Sequence, residues 1–248
     1  KVTDARLVAI DETGTVVVPP VVVGRLLLLP RNMGVQSSKL QIFRIGSLQD
    51  ASPLTPVQEV SLKGRVNTSP LVSGRRVLIM TDRAEMAILE ASDNDPSKPF
   101  NTIAEGVTGS EEQAVHYPLL IESQLFIGVD QLTRYDILAS RGRLQARWNA
   151  NQRSTTLQPL QRIDQAVFQV RRKRGLSGVA VAAMDLEEGK TLWETHLAAP
   201  LVTEPSYDPA SDTLSAVSTT GGVFELKGSS LGTSRVHDEP TLGLPLAE

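Results

Sequence analysis

The chain has 248 residues, 40 % of them hydrophobic and 21 % charged, with a net charge of −3 and a pI near 5.7. That is core material enough for one large domain or two smaller ones, and the charge balance argues against a nucleic-acid surface spread over the whole molecule. Cysteine is absent, which removes disulfide scaffolds, thiolate zinc sites, iron–sulfur clusters and cysteine nucleophiles together. No apolar stretch reaches the roughly 18 residues that span a bilayer; the longest, Val16 to Leu29, is broken by Pro19, Pro20, Gly24 and Arg25. The sequence opens at Lys1 with neither an initiator Met nor a signal-like segment, so no address can be read from it.

Taken in chain order, five prolines open the same phrase: Pro20, Pro70, Pro118, Pro159 and Pro205, at spacings of 50, 48, 41 and 46 residues. Behind each come apolar residues, a turn signal, then a run of four or five apolar residues: Leu26 to Leu29, Val77 to Met80, Leu125 to Val129, Ala166 to Val170 and Leu214 to Val217. The pattern is strand, tight turn, strand. Gly24, Gly74, Asp164 and the Asp208-Pro209 pair supply the positive or preset φ that a short hairpin needs. The second strand of each pair is almost continuously apolar, the mark of a strand buried on both faces.

After each hairpin a second pair of strands is predicted. These are Leu40–Ile45 with Val57–Leu62, Met86–Leu89 with Thr102–Ala104, Leu132–Leu138 with Leu144–Trp148, and Val179–Met184 with Thr191–Leu197. Four short strands per period of 40 to 50 residues is the pattern of a propeller blade. Gln145–Gln152 comes nearest to a helical stripe and lacks a cap, so helix content is expected to be very low.

The predicted fold is therefore all-β, a β-propeller of four-stranded antiparallel blades with about five blades present. Arg6–Asp11 and Thr15–Val18 resemble a third and a fourth strand with no first pair ahead of them, and Val223–Leu226 a third strand with no clear fourth. A closed small ring and a fragment of a seven- or eight-bladed ring both fit that phase. Residues 1–228 are expected to form the propeller, and 229–248, rich in Gly, Ser, Thr and Pro, a polar tail or linker.

The phrase Ala183-Met-Asp-Leu-Glu-Glu-Gly-Lys-Thr-Leu-Trp193-Glu resembles the repeat of the quinoprotein-like (PQQ-repeat) β-propellers, with Asp185, Gly189 and Trp193 at that family's spacing. Fainter echoes are Ala9 to Gly14, the set Asp136, Gly142 and Trp148, and Gly221 to Leu226. The resemblance implies that Asp185 and Gly189 make a strand-to-strand turn while Trp193 and Trp148 dock between blades. Within the family the chain is most similar to the non-enzymatic branch of BamB-type scaffold proteins. A quinone-dependent dehydrogenase would bring a cysteine pair, a calcium site and a catalytic Asp, and the cysteines are missing. No cofactor, metal site or catalytic residue is expected.

Other chemistry is thin. His116, His196 and His237 are too scattered for a metal motif, and Ser177 in Gly175-Leu-Ser-Gly178 lacks the strand–Ser–helix setting of a nucleophile elbow. Asp93-Asn94-Asp95 lacks the Gly and Glu of a calcium loop. The densest charge feature is Arg171-Arg172-Lys173-Arg174, predicted as a loop between a second and a third strand, where it could meet a phosphate, an acidic partner or anionic lipid, or simply be solvated.

The expected function is a non-catalytic binding or assembly scaffold that docks a protein partner through propeller loops. It takes no nucleic acid and makes no membrane insertion in this segment, and the resemblance alone implies an extracytoplasmic, periplasmic or cell-surface setting. The alternatives are a quinone- or sugar-binding propeller enzyme with an axial site, for which the first strands offer only Asn67, Glu112, His116 and Glu204, and a ligand-binding ectodomain of a larger membrane-anchored protein.

Overall fold

The computed structural model describes residues 13–47, 49–50, 52–108, 115–173, 179–197, 201–219 and 221–231. The chain divides into two units, one of Lys1–Ala114, Leu120–Ser123 and Ile137–Gln145, the other of Val115–Leu119, Gln124–Asp136 and Ala146–Glu248. The fold is all-β, built from antiparallel meanders that repeat as propeller blades.

The first blade is β1 (Val21–Val23), β2 (Leu26–Asn32), β3 (Ser37–Ile45) and β4 (Leu54–Lys63), hydrogen-bonded in that order. The second is β5 (Leu71–Ser73), β6 (Arg76–Met80), β7 (Glu85–Ala91) and β8 (Phe100–Val107); its outer strand is also bridged to the last strand of the third, so that the two make one eight-stranded sheet. The third is β9 (Tyr117–Ile121), β10 (Gln124–Gly128), β11 (Leu132–Leu138) and β12 (Arg143–Ala150), with a 3₁₀ turn at Ala139–Arg141. In the fourth, β13 (Ser154–Thr156) and β14 (Gln161–Ile163) both pair with β15 (Ala166–Lys173), followed by β16 (Val179–Asp185) and β17 (Thr191–Leu197). The fifth has three described strands, β18 (Ser206–Asp208), β19 (Thr213–Val217) and β20 (Val223–Lys227). A single helical turn, α1 (Gly228–Leu231), follows.

The physical basis of the repeat lies in the second strands. All of Val77 to Met80 and all of Leu125 to Gly128 are buried, since each second strand has a neighbour on both edges and packed side chains on both faces. The fourth strands alternate instead, and much of β4 and β12 is exposed, as befits the outer strand of a blade. Within unit 1, Leu28, Leu40 and Ile42 of the first blade share a core with Val77, Ile79, Leu89 and Phe100 of the second. Within unit 2, Phe168, Val181 and Trp193 of the fourth blade share one with Leu214 and Ala216 of the fifth.

Four hairpins close in two residues, and in each the first of the two has positive φ: Gly24 at 59°, Gly74 at 58°, Glu122 at 46° and Asp164 at 50°. A primed turn demands that geometry because its twist matches that of the strands it joins. The fifth hairpin is longer. Pro209, with its preset φ, lies in that turn directly after β18, and a positive φ falls on Asp212.

Pro20, Pro70 and Pro205 stand immediately before β1, β5 and β18, and Pro159 two residues before β14. They stand ahead of the first strand of each blade, where a residue without an N–H costs no ladder bond. Pro118 differs, lying inside β9. Ahead of Pro20, Thr15–Val18 is not a strand of its own: Thr15 makes one antiparallel bridge to Asn32 at the end of β2, and Pro19 and Pro20 prevent the ladder from continuing. The fourth blade extends the same arrangement into β13, paired with Arg171 to Lys173, and the fifth repeats it as a bridge from Leu201 to Ser218. Arg6–Asp11 lies outside the described residues.

Candidate functional site

An antiparallel meander places its turns alternately at two ends. At one end of each blade lie the turn from second to third strand and the approach to the first strand; at the other lie the hairpin turn and the turn from third to fourth strand. Seven large hydrophobic residues are exposed among those described, and six belong to the first of these ends. In unit 1 they are Val16, Val17, Val35 and Val107; in unit 2 they are Val115 and Val202. Val35, in the turn from β2 to β3, is 74 % exposed.

The same end of unit 1 holds a groove of about 370 Å³. Its apolar floor is Leu62, Ile79, Ala87 and Val107, and its walls carry Lys63, Glu85 and Glu105. Strand register explains the grouping. Ala87 stands opposite both Ile79 and Glu105, and Glu85 opposite Val107, so these side chains share one face of the second blade. Lys63, the last residue of β4, lies 3.9 Å from Glu85. Thr81 also lines the groove; it is only 7 % exposed, and its Oγ1 has no hydrogen-bond partner.

The groove wall is held from behind. The Glu105 N–H donates to the Gly142 carbonyl at 3.1 Å, in the one parallel bridge among the described ladders, between β8 and β12. A Cβ on Gly106 would stand 2.9 Å from the Leu144 Cβ, so β8 and β12 meet at closest approach beside Glu105.

In unit 2 the basic run is not a free loop. Arg171, Arg172 and Lys173 are the last residues of β15, paired with β13, and Arg174 lies outside the described residues. Arg171 is 3 % exposed and bonds Glu194, as does Lys173, while His196 Nε2 lies 2.8 Å from the same carboxylate. Arg172 remains exposed. The prediction of a basic loop is thus corrected at Arg171 and Lys173, whose charges meet Glu194 across the blade; no local signal marks the pairing, since Glu194 is some twenty residues on and arrives by way of β16. Burial works against the charge on Glu194, but the hydrogen bonds from Lys173 and Arg171 outweigh it and hold the carboxyl below its ordinary range.

Asp185 Oδ1 accepts the N–H groups of Glu187 and Glu188, and Gly189, at φ 69°, closes the turn through its N–H to the Asp185 carbonyl. Trp193 is buried against Phe168, ring centroids 5.7 Å apart, and the half-buried Trp148 meets Phe126 at 5.9 Å. Trp148 covers Gly189 of the next blade. Beside it Arg134 reaches from β11 to the Leu186 carbonyl at 2.7 Å, Glu187 Oε2 at 2.7 Å and Asp136 Oδ1 at 3.0 Å. Hydrogen bonds from Arg134 and Gln124 lower the pKa of Glu187.

The remaining candidates do not converge. Asn67 and Glu204 are exposed and His116 half-buried, while Glu112, His237 and Ser177 lie outside the described residues. Asp95 is engaged by the N–H and hydroxyl of Ser97. Among the described residues no three His, Asp or Glu side chains are grouped to hold a metal ion, and no helix is long and apolar enough to cross a membrane. The groove residues Lys63, Thr81, Glu85 and Glu105 escaped sequence reasoning because they come from three strands and one turn, and only register brings them together.

The fold class is thus a β-propeller assembled from four-stranded blades. No family model matches the chain, and no curated protein matches it in sequence. Among solved structures it is similar to Sqt1 of Saccharomyces cerevisiae, at 12 % identity and a TM-score of 0.58 over 84 % of this chain and 58 % of that one. It is also similar to KlHsv2 with loop 6CD replaced by a Gly-Ser linker, at 10 % identity and a TM-score of 0.51 over 82 % and 61 %. BamB from Moraxella catarrhalis matches at 15 % identity over 82 % of this chain and 68 % of that one, with a TM-score of 0.43. The chain therefore spans about three fifths of the length of Sqt1 and KlHsv2, and at these identities the likeness is one of fold.

Proposed function

We propose that this chain is a non-catalytic binding or assembly scaffold of the PQQ-like repeat type that docks a protein partner through the loop end of its blades. The observation that carries the reading is the placement of the exposed valines: Val16, Val17, Val35 and Val107 on unit 1, and Val115 and Val202 on unit 2, all at the corresponding end of their own blades. Scattered apolar residues on a surface need no explanation. In each unit the exposed valines keep to that one end, and on unit 1 Val107 lines a groove with an apolar floor, surface of the kind a protein partner covers. The repeat identity and an extracytoplasmic setting belong to the same reading and rest on the phrase from Ala183 to Glu194.

The test is a capture experiment from the source cell with three forms of the protein. The V17E/V35E double variant is expected to lose the partner that the wild type retains, and Arg25→Glu, at the opposite end of the first blade, to keep it. Equal capture by all three overturns the loop-end reading. Adding quinone and calcium to the purified protein is expected to give no stoichiometric adduct by absorbance and mass; an adduct overturns the non-catalytic assignment.

A further inference from the structure

We infer that the groove of unit 1 receives an extended segment of a protein partner in which a Lys or Arg side chain neighbours an apolar one. This rests on the scaffold reading and names the chemistry of the partner at one place.

The groove is built to take hydrogen-bond donors. Among the described residues two carboxylates, Glu85 and Glu105, line it against the single ammonium of Lys63, which is largely solvent-exposed and only at the limit of ion-pair distance from Glu85. Thr81 also lines the groove and is almost completely buried. Two carboxylates suit a cation that carries several N–H groups. They repel an acidic segment.

The floor asks for something else. Leu62, Ile79, Ala87 and Val107 offer apolar surface to a side chain next to the cation, and Val107 stands 62 % exposed at the groove mouth. One wall, Ser61 to Lys63, is the end of β4, the outer strand of the first blade. An extended segment can lie along such an edge. A volume of about 370 Å³ fits a few side chains of a peptide rather than a folded element. The opposite wall is fixed in advance by the Glu105–Gly142 bond and the Gly106–Leu144 contact, so the Glu105 backbone need not be ordered on binding.

The probe is the capped peptide acetyl-Lys-Val-Lys-Val-amide, compared with acetyl-Glu-Val-Glu-Val-amide, titrated into the full chain with methyl NMR as the readout. The basic peptide is expected to shift the methyl signals of Ile79, Ala87 and Val107, and the acidic one to leave them in place. E85Q/E105Q, at two positions open to solvent, is expected to weaken binding at least tenfold with an unchanged melting temperature. E85K/E105K is expected to reverse the preference.

The inference is overturned if neither peptide moves those methyls up to about 1 mM, if both bind alike, or if E85Q/E105Q binds as the wild type does. A failed peptide titration together with loss of capture by V17E/V35E overturns this inference alone. Peptide binding together with undiminished capture by V17E/V35E retains the groove and overturns the loop-end reading.

Discussion

The indole of Trp148 lies on the backbone of Gly189. A Cβ at position 189 would stand 2.5 Å from Cδ2, 2.7 Å from Cε3 and 2.9 Å from Cε2 of that ring. The tryptophan of the third blade thus seals the turn between the third and fourth strands of the next one, within unit 2. Gly189 is therefore required twice, for a φ of 69° and for the absence of a side chain.

Gly189→Ala is expected to cost about 2–3 kcal/mol, the sum of left-handed strain and an overpacked contact. Urea unfolding measures the loss. The chain has two tryptophans, so a red shift in emission that disappears in Trp148→Phe would assign the change to this contact. An alanine variant as stable as the wild type would show that the ring moves away without cost.

Gln58 of β4 links two blades of unit 1 through a reciprocal pair: its Nε2 donates to the Phe100 carbonyl at 2.7 Å and its Oε1 accepts the Phe100 N–H at 2.9 Å. Gln58→Ala leaves both backbone groups of the buried Phe100 without a partner, an expected loss of about 2 kcal/mol. Amide exchange at Phe100 should accelerate by at least tenfold. An unchanged exchange rate would mean that water replaces the amide fully.

Glu194 contributes pH-dependent stability. Its carboxyl titrates below its ordinary range in the folded chain, so the contribution is present above the unfolded carboxyl pKa and is lost as pH falls through the lowered folded value. Glu194→Gln removes it and leaves Arg171 buried without its counter-charge, which at neutral pH costs about 3 kcal/mol. The gap in melting temperature between wild type and E194Q is expected to be wide at neutral pH and to close on acidification. A gap constant with pH would place the stabilisation elsewhere.

Arg134, nearly buried, spreads its guanidinium over the Leu186 carbonyl, Glu187 and Asp136. A lysine keeps the charge and loses the fork. Arg134→Lys is expected to destabilise unit 2 by about 2 kcal/mol, with little rescue relative to Arg134→Met; equal stability of lysine and arginine at this position would reduce the role of the fork to charge alone.

The blades are legible in the residues alone. Period-two alternation in fourth strands such as β4, unbroken apolar runs in second strands such as β6, and turn residues at Gly24, Gly74 and Asp164 are local signals, each set within a few residues by backbone sterics and burial. Glu122 shows the limit of such signals, since it takes the same positive φ without the residue type that advertises it. The tertiary structure alone decided what those blades bring together. Arg171 and Lys173 looked like a basic loop until β16 and β17 carried Glu194 back to them. Glu85, Glu105, Thr81 and Lys63 are unremarkable in the sequence and become one groove only through the register of β6, β7 and β8 and the end of β4. Trp148 and Gly189 belong to two separate turn phrases, and only the stacking of blade on blade places one on the other. Strand and turn formation depend on near neighbours in the chain, whereas charge pairing, groove lining and ring-on-glycine contact depend on residues that register and packing make neighbours.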